Sequence, residues 1–198
     1  MPRAVAPVYL GEAEVERIIN KARTERDRLL FCTLFMTGGR ITEVLSLTPR
    51  MVRDETLYLP TLKQAKRPLR EVAVPTDLVA MLRLYIENHR IQPEEPVFQG
   101  RRGRLTRQAA WRNFKAAAEM AGVERIRDGR VTSAWTHLAR HSYAHLVKSQ
   151  VSENAFEVLQ KQLGHADIRS TLVYGQVTTQ DRVEAIRGVH FTMPAREG

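Results

Sequence analysis

Apolar residues along the first fifty positions recur at helical spacing. Val15, Ile18 and Ile19 share one face of a helix over Gly11–Arg23. Asp27–Thr37, with LLFCTLF at its centre, is apolar nearly all round and reads as a buried helix stopped by Gly38-Gly39. A short helix follows from Ile41, with Ile41, Val44, Leu45 and Leu47 apolar, and Pro49 ends it. The period then changes to two. Thr56–Thr61 and Arg70–Val74 predict strands joined by a polar turn around Gln64–Pro68, the one clear β-structure in the pattern. Helical spacing returns over Asp77–His89 through Leu78, Leu82, Tyr85 and Ile86. Pro93–Gly103 reads as loop, with Val97-Phe98 a short-strand candidate. Thr106 caps a helix to about Ala121 whose inner face carries Ala110, Phe114, Ala117 and Ala118. Gly122–Ser133 reads as a second loop. Helices follow over Thr136–Ser149 and Glu153–Leu163, then around Ile168–Tyr174, with a last amphipathic piece from Thr179. The expected fold class is mainly α with a small antiparallel β-sheet (α+β), and no linker divides the chain.

A chain of 198 residues, 43% hydrophobic and 27% charged, is long enough for one well-filled core and ordinary for a globular domain. The apolar stretch around Leu29–Met36 falls far short of the ~20 residues a membrane span needs. MPRAVAPVYL lacks the apolar centre of a signal peptide, so the expected location is cytoplasmic. The lone Cys32 excludes an intramolecular disulfide and reads as a small core residue.

Charge narrows the partner. Lys and Arg number 31 against 22 acids, a formal +9. Only six of the basic residues are lysines; the others are arginines, whose planar fork matches phosphate oxygens in pairs. That balance favours nucleic acid. A membrane-surface role would gather the basic residues on one amphipathic helix, whereas here arginines run from Arg3 to Arg196.

Phosphate-loop, dinucleotide, C-x-x-C and H-E-x-x-H patterns are all absent. His137, His141 and His145 recur every fourth residue on one helix, but Leu138 stands where a zinc protease would carry its glutamate, and no metal is expected. A different constellation carries chemistry. Arg40 opens a helix directly after Thr37-Gly38-Gly39, with Glu43 one turn on. His137 and Arg140 share a face within THLARHSYAHL. His165 follows Leu163-Gly164, and Tyr174 lies nine residues later within QLGHADIRSTLVYGQV. Taken singly, each has a plain structural reading: a solvated arginine at a helix start, an exposed face, a packed aromatic.

Together they resemble the signature of the tyrosine recombinase (phage integrase) family. TGGRITEVLSL resembles its first arginine box, THLARHSYAHL its H-x-x-R box, and LGHADIRSTLVY its LGH box with the nucleophilic tyrosine. The resemblance runs from about Leu10 to Val189. It implies the catalytic-domain fold of that family and a site-specific recombinase that cleaves and rejoins DNA through a 3′-phosphotyrosine. Arg40 and Arg140 would grip the phosphate oxygens, Tyr174 would attack, His137 would assist it, and His165 would donate a hydrogen bond to the phosphate. The acid for the departing 5′-oxygen would be Lys63, with Lys66 its competitor in a hairpin longer than usual. Glu43 would orient Arg40. One transesterification drives its reverse, so no cofactor or metal is expected.

Two residues depart from the family pattern. Gly39 replaces a larger apolar residue, which implies a looser turn, and Ala139 replaces Leu or Met, leaving volume to be filled. The chain also begins almost at the catalytic domain, so residues 1–198 are expected to be one catalytic domain with a core over about 10–178. It would be either a fragment or a single-domain member without the N-terminal core-binding clamp, which an accessory protein would then supply. Arg101, Arg102, Arg104, Arg107 and Arg112, together with Lys66, are the expected DNA contacts. The tail 179–198, with Val183, Ile186 and Val189, would pack on its own core or, as favoured here, dock on a neighbouring subunit. Four protomers would then assemble on two duplexes, and the free chain is left open between a monomer and a preformed oligomer. The contrasting reading is a catalytically silent DNA-binding regulator.

Overall fold

The computed structural model describes residues 9–61, 69–127, 130–133, 136–150, 155–163 and 186–187; at 124–127, 130–133, 136, 137, 145, 148, 149, 155 and 156 only the backbone is described. Helix α1 (Glu12–Asn20) turns Val15, Ile18 and Ile19 inward, and the Glu14 carboxylate accepts from the Gly11 amide at 3.0 Å. Helix α2 (Glu25–Thr37) starts at Thr24, whose hydroxyl accepts from the Asp27 amide at 3.1 Å. Every residue from Leu29 to Thr37 is buried, as an apolar pattern without a polar face requires. Each large side chain there contributes about 1.5–3 kcal/mol of burial.

Helix α2 is the axle of the fold. It touches α1, the single-turn helix α3 (Ile41–Val44), α4 (Thr76–Asn88), α5 (Arg107–Met120) and α6 (Thr136–Gln150). The Phe114 ring of α5 stands edge-on to Phe31 at 5.1 Å between centroids. Buried Asp27 joins the same two helices, receiving Arg26 on one oxygen and Asn113 at 2.9 Å on the other. Burial pushes the Cys32 thiol up to about 12 despite the charge of Arg28, so Cys32 is an inert core group.

Strands β1 (Thr56–Pro60) and β2 (Leu69–Ala73) pair antiparallel, with Thr56 opposite Ala73 and Leu59 opposite Arg70. Two smaller hairpins correct the loop expectations. The first pairs β3 (Gln99–Gly100) with β4 (Gly103–Arg104), just after the Val97-Phe98 candidate; those two residues are buried but outside the strand. The second pairs β5 (Glu124–Arg127) with β6 (Arg130–Ser133) inside the stretch read as loop. Arginines flanking Ile126 and Val131 mask the alternation there, although Asp128-Gly129 is a two-residue hairpin sequence.

A second apolar cluster lies beside the main core. Helix α7 (Ala155–Leu163) brings Val158, Leu159 and Leu163 against Tyr143 and Val147 of α6, Ala73 of β2, and Ile186. At Ile186 the tail therefore packs on its own chain, and neighbouring Arg187 pairs with Glu55. Val183, Val189 and the expected helix around Ile168–Tyr174 lie outside the described residues.

The glycine pair closes α2 tightly. Gly38 takes a left-handed φ of 58°, and a Cβ there would lie 2.6 Å from the Tyr143 ring and 2.7 Å from Leu163. A Cβ on Gly39 would lie 2.8 Å from Val44 and 3.1 Å from Leu59, so the turn is filled by its neighbours, contrary to the looser turn expected. Ala139 is fully buried in the main core. Gly38→Ala combines backbone strain with a clash and should destabilise the chain by about 2–4 kcal/mol, read as a lowered urea midpoint at unchanged slope.

Candidate active site

The site grows from the turn after α2. Arg40 is the N-cap of α3, and its amide donates to Glu43 Oε2 at 3.0 Å while its Nη1 donates to Oε1 at 2.7 Å. One helical turn thus pins Arg40 to a carboxylate that is itself 0% exposed. A buried carboxylate with one cation would be costly, and a second cation arrives from the sheet. Arg70 Nη2 donates to Glu43 Oε2 at 2.8 Å. Burial alone would raise the Glu43 carboxyl. The hydrogen bond and charge of Arg70, together with the hydrogen bonds from Arg40, outweigh it and hold the group below its ordinary value near 4.5.

Arg140 enters from α6. Its Nη1 donates to the Gly38 carbonyl at 2.9 Å and its Nη2 to the Leu163 carbonyl at 2.7 Å, so one guanidinium closes the C-terminal ends of α2 and α7. Burial, then the charges of Arg40 and Arg70, lower Arg140 to about 10 against the opposing pull of Glu43. It stays a cation at neutral pH. Two guanidiniums therefore bond one carboxylate, and the third, Arg140, feels its charge without a bond to it. Arg70 is 8% exposed, whereas Arg40 is 31% exposed and Arg140 is half-buried. The two partly open cations can take an anion from solution, and an uncompensated positive charge is there to receive it.

Helix α7 is fixed by its penultimate residue. The Gln162 side chain accepts from the Ala73 amide at 3.0 Å, and donates to the Ala73 carbonyl at 2.9 Å and to the Tyr143 hydroxyl at 3.2 Å. It pairs with the edge of β2 opposite β1 as a strand residue would. The Gln162 carbonyl accepts from Arg70 Nη1.

Of the residues expected from sequence, Arg40, Glu43 and Arg140 come together here. His137 lies one turn before Arg140 on α6, with only its backbone described, as for His145, whereas His141 between them is exposed. Lys63, Lys66, His165 and Tyr174 lie outside the described residues. Among the described residues no group of three or more side chains is arranged to hold a metal. Arg101, Arg102, Arg104, Arg107 and Arg112 are exposed around the β3–β4 hairpin and the first turns of α5. Arg104 donates to the Ser46 hydroxyl at 2.9 Å, which links that patch to the end of the α3 segment.

Sequence reasoning missed Arg70 and Gln162. Both carry a signal: each is polar at a position whose register is apolar. Arg70 alternates with Val72 on the inner face of β2, and Gln162 follows Val158 and Leu159 at helical spacing.

Residues 9–181 match the profile of the Phage integrase family. The chain belongs to this family. It is 28% identical over 196 residues to tyrosine recombinase XerD of Pseudomonas putida, an alignment covering 93% of this chain and 62% of the relative. The chain thus spans about three-fifths of the curated relatives it matches. Among solved structures, XerA recombinase superposes with a TM-score of 0.68 at 23% identity, covering 84% of this chain and 59% of that one. XerH recombinase bound to its difH substrate superposes at 0.65 and 20% identity, covering 93% and 55%. These likenesses fix the fold as that of the family's catalytic domains, mainly helical with small antiparallel sheets.

Two outcomes follow from this geometry. Gln162→Leu strips the partners from the Ala73 backbone and the Tyr143 hydroxyl in a buried place, and should cost about 2–4 kcal/mol in urea unfolding. Because the folded value of Glu43 lies below its unfolded one, its contribution to stability is complete above the ordinary carboxylate range and is lost as pH falls through the lowered value. Unfolding free energies from pH 7 to 3 should therefore decline less steeply in Glu43→Gln than in the parent chain.

Proposed function

We propose that this chain is the catalytic domain of a site-specific DNA recombinase that exchanges strands through a covalent 3′-phosphotyrosine. Two partly open guanidiniums carry this reading, Arg40 held by the Glu43 carboxylate and Arg140 by the Gly38 and Leu163 carbonyls, together with membership of the Phage integrase family. A phosphodiester repels nucleophiles because it is already an anion. Forked hydrogen bonds from two arginines to its non-bridging oxygens offset that charge and the further charge of the pentacoordinate transition state.

Tyr174 is the nucleophile. Its oxygen forms the new bond to phosphorus as the bond to the 5′-oxygen breaks. A phenol of ordinary pKa about 10 must lose its proton to attack, and His137 helps it in the field of the arginines. His165 donates to a non-bridging oxygen, and Lys63, or Lys66 beside it, protonates the departing 5′-oxygen. Attack by another 5′-hydroxyl reverses the step, so strand exchange needs no cofactor. The substrate is duplex DNA, held outside the centre by the arginines of the β3–β4 hairpin and α5. Four protomers on two sites complete the exchange, and the protein works in the cytoplasm.

The test is covalent trapping. Incubated at low salt with nicked duplexes from its own genetic neighbourhood, the protein should yield a protease-sensitive adduct on a denaturing gel. Tyr174→Phe should yield none, and Arg40→Ala or Arg140→Ala should slow its formation at least 100-fold. DNA binding with no adduct on any nicked duplex, alone or with a supplied clamp domain, would mark a silent DNA-binding regulator instead.

A further inference from the structure

We propose that Arg70 is a positioning residue that sets both phosphate-facing arginines at once, Arg40 through Glu43 and Arg140 through the last turn of α7. The inference rests on the strand-transfer reading above. Its basis is where the two ends of one guanidinium go. Nη2 takes Glu43 Oε2, the oxygen that also receives the Arg40 amide, and leaves Oε1 to the Arg40 side chain. Nη1 takes the carbonyl of Gln162, the residue directly before Leu163, whose carbonyl receives Arg140. A single buried side chain therefore touches the carboxylate that anchors Arg40 and the carbonyl next to the one that anchors Arg140.

The charge arithmetic explains why a cation is needed there. Without Arg70, the fully buried Glu43 carboxylate would face Arg40 as its one bonded cation, and that ion pair would use up the charge meant for phosphate. With Arg70 sharing the carboxylate, Arg40 is oriented by Glu43 and is still free to attract an anion. Stability alone does not account for the residue. Arg70 Nε is buried with no hydrogen-bond partner among the described residues, and the strand position opposite is Leu59, so an apolar side chain would suit the site. A guanidinium kept at such a place serves geometry rather than burial.

Lysine could supply the charge but has no fork to span Glu43 and Gln162 together. Arginine is the residue type that does both.

The test uses the full chain with Arg70→Met, Arg70→Lys and the double variant Arg70→Met/Glu43→Gln. The first readout needs no activity: the Glu43 carboxyl is followed by 13C NMR, assigned through Glu43→Gln. Its midpoint should rise by at least one pH unit in Arg70→Met and by less in Arg70→Lys. An unmoved midpoint overturns the proposal. The second readout is single-turnover adduct formation on nicked DNA, alongside DNA affinity and thermal stability. Arg70→Met should slow adduct formation 30- to 100-fold with less than a threefold change in Kd. Arg70→Lys should recover part of the rate. The double variant should melt no lower than the parent chain and run at least fivefold faster than Arg70→Met, because the carboxylate that captures Arg40 is neutral. If the rates simply follow melting temperature, or the double variant is as slow as the single one, Arg70 is structural and the proposal falls. A parent chain that makes no adduct, while the Glu43 midpoint moves as described, defeats the strand-transfer reading and leaves the hold of Arg70 on Glu43 supported.

Discussion

A carboxylate sealed from water between two guanidiniums is the constraint around which the rest of the site is arranged. Glu43 is too buried to remain charged unless cations meet it, and Arg40 and Arg70 meet it from opposite sides in the chain, one from a helix cap and one from a strand. Because each ion needs the others, α3 and β2 cannot shift independently. The same requirement fixes the direction of Arg40, whose backbone and side chain both point at one carboxylate. Removing Glu43 would leave two cations facing each other, and removing either arginine would leave the buried carboxylate with one bonded cation in place of two, so the cluster is held together by the cost of breaking it more than by the gain from forming it.

The second arginine is held by backbone instead. Arg140 satisfies the final carbonyls of α2 and α7, groups that helix geometry leaves without partners. This works only because Gly38 brings the end of α2 against Tyr143 and Leu163, at a separation no Cβ permits. Gln162 then secures α7 to the edge of β2 opposite β1. Rigid packing around α2 thus becomes the placement of two cations that are each partly open to solvent. The exposed arginines of the β3–β4 hairpin lie on an element tied to the same helix, since Arg26 donates to the Gln99 carbonyl at 2.9 Å.

Local signals made much of this legible in the chain. The seven α-helices among the described residues and the main hairpin follow from apolar spacing, from Thr24 and Thr106 as caps, and from the glycine pair as a stop. Arg40, Glu43 and Arg140 stand in compact boxes whose order carries the family resemblance, and the structure brings the three together. The β5–β6 hairpin was hidden because its strands carry arginine where an alternating pattern would show apolar residues. Arg70 and Gln162 were hidden for a related reason: each belongs to a buried register but is polar, and its partner lies far away in the chain.

The sequence by itself determined most of the elements and the family, because helix periodicity, caps and the three boxes are set by neighbours within a few residues. Tertiary structure alone decided how the chemistry is held. Arg70 meets Glu43 across 27 positions, Gln162 meets Ala73 across 89, and Arg140 meets Gly38 across 102. No local pattern encodes such pairings. They arise when packing around α2 removes water from polar groups and leaves only one another as partners, and the charge of the site is settled by that burial.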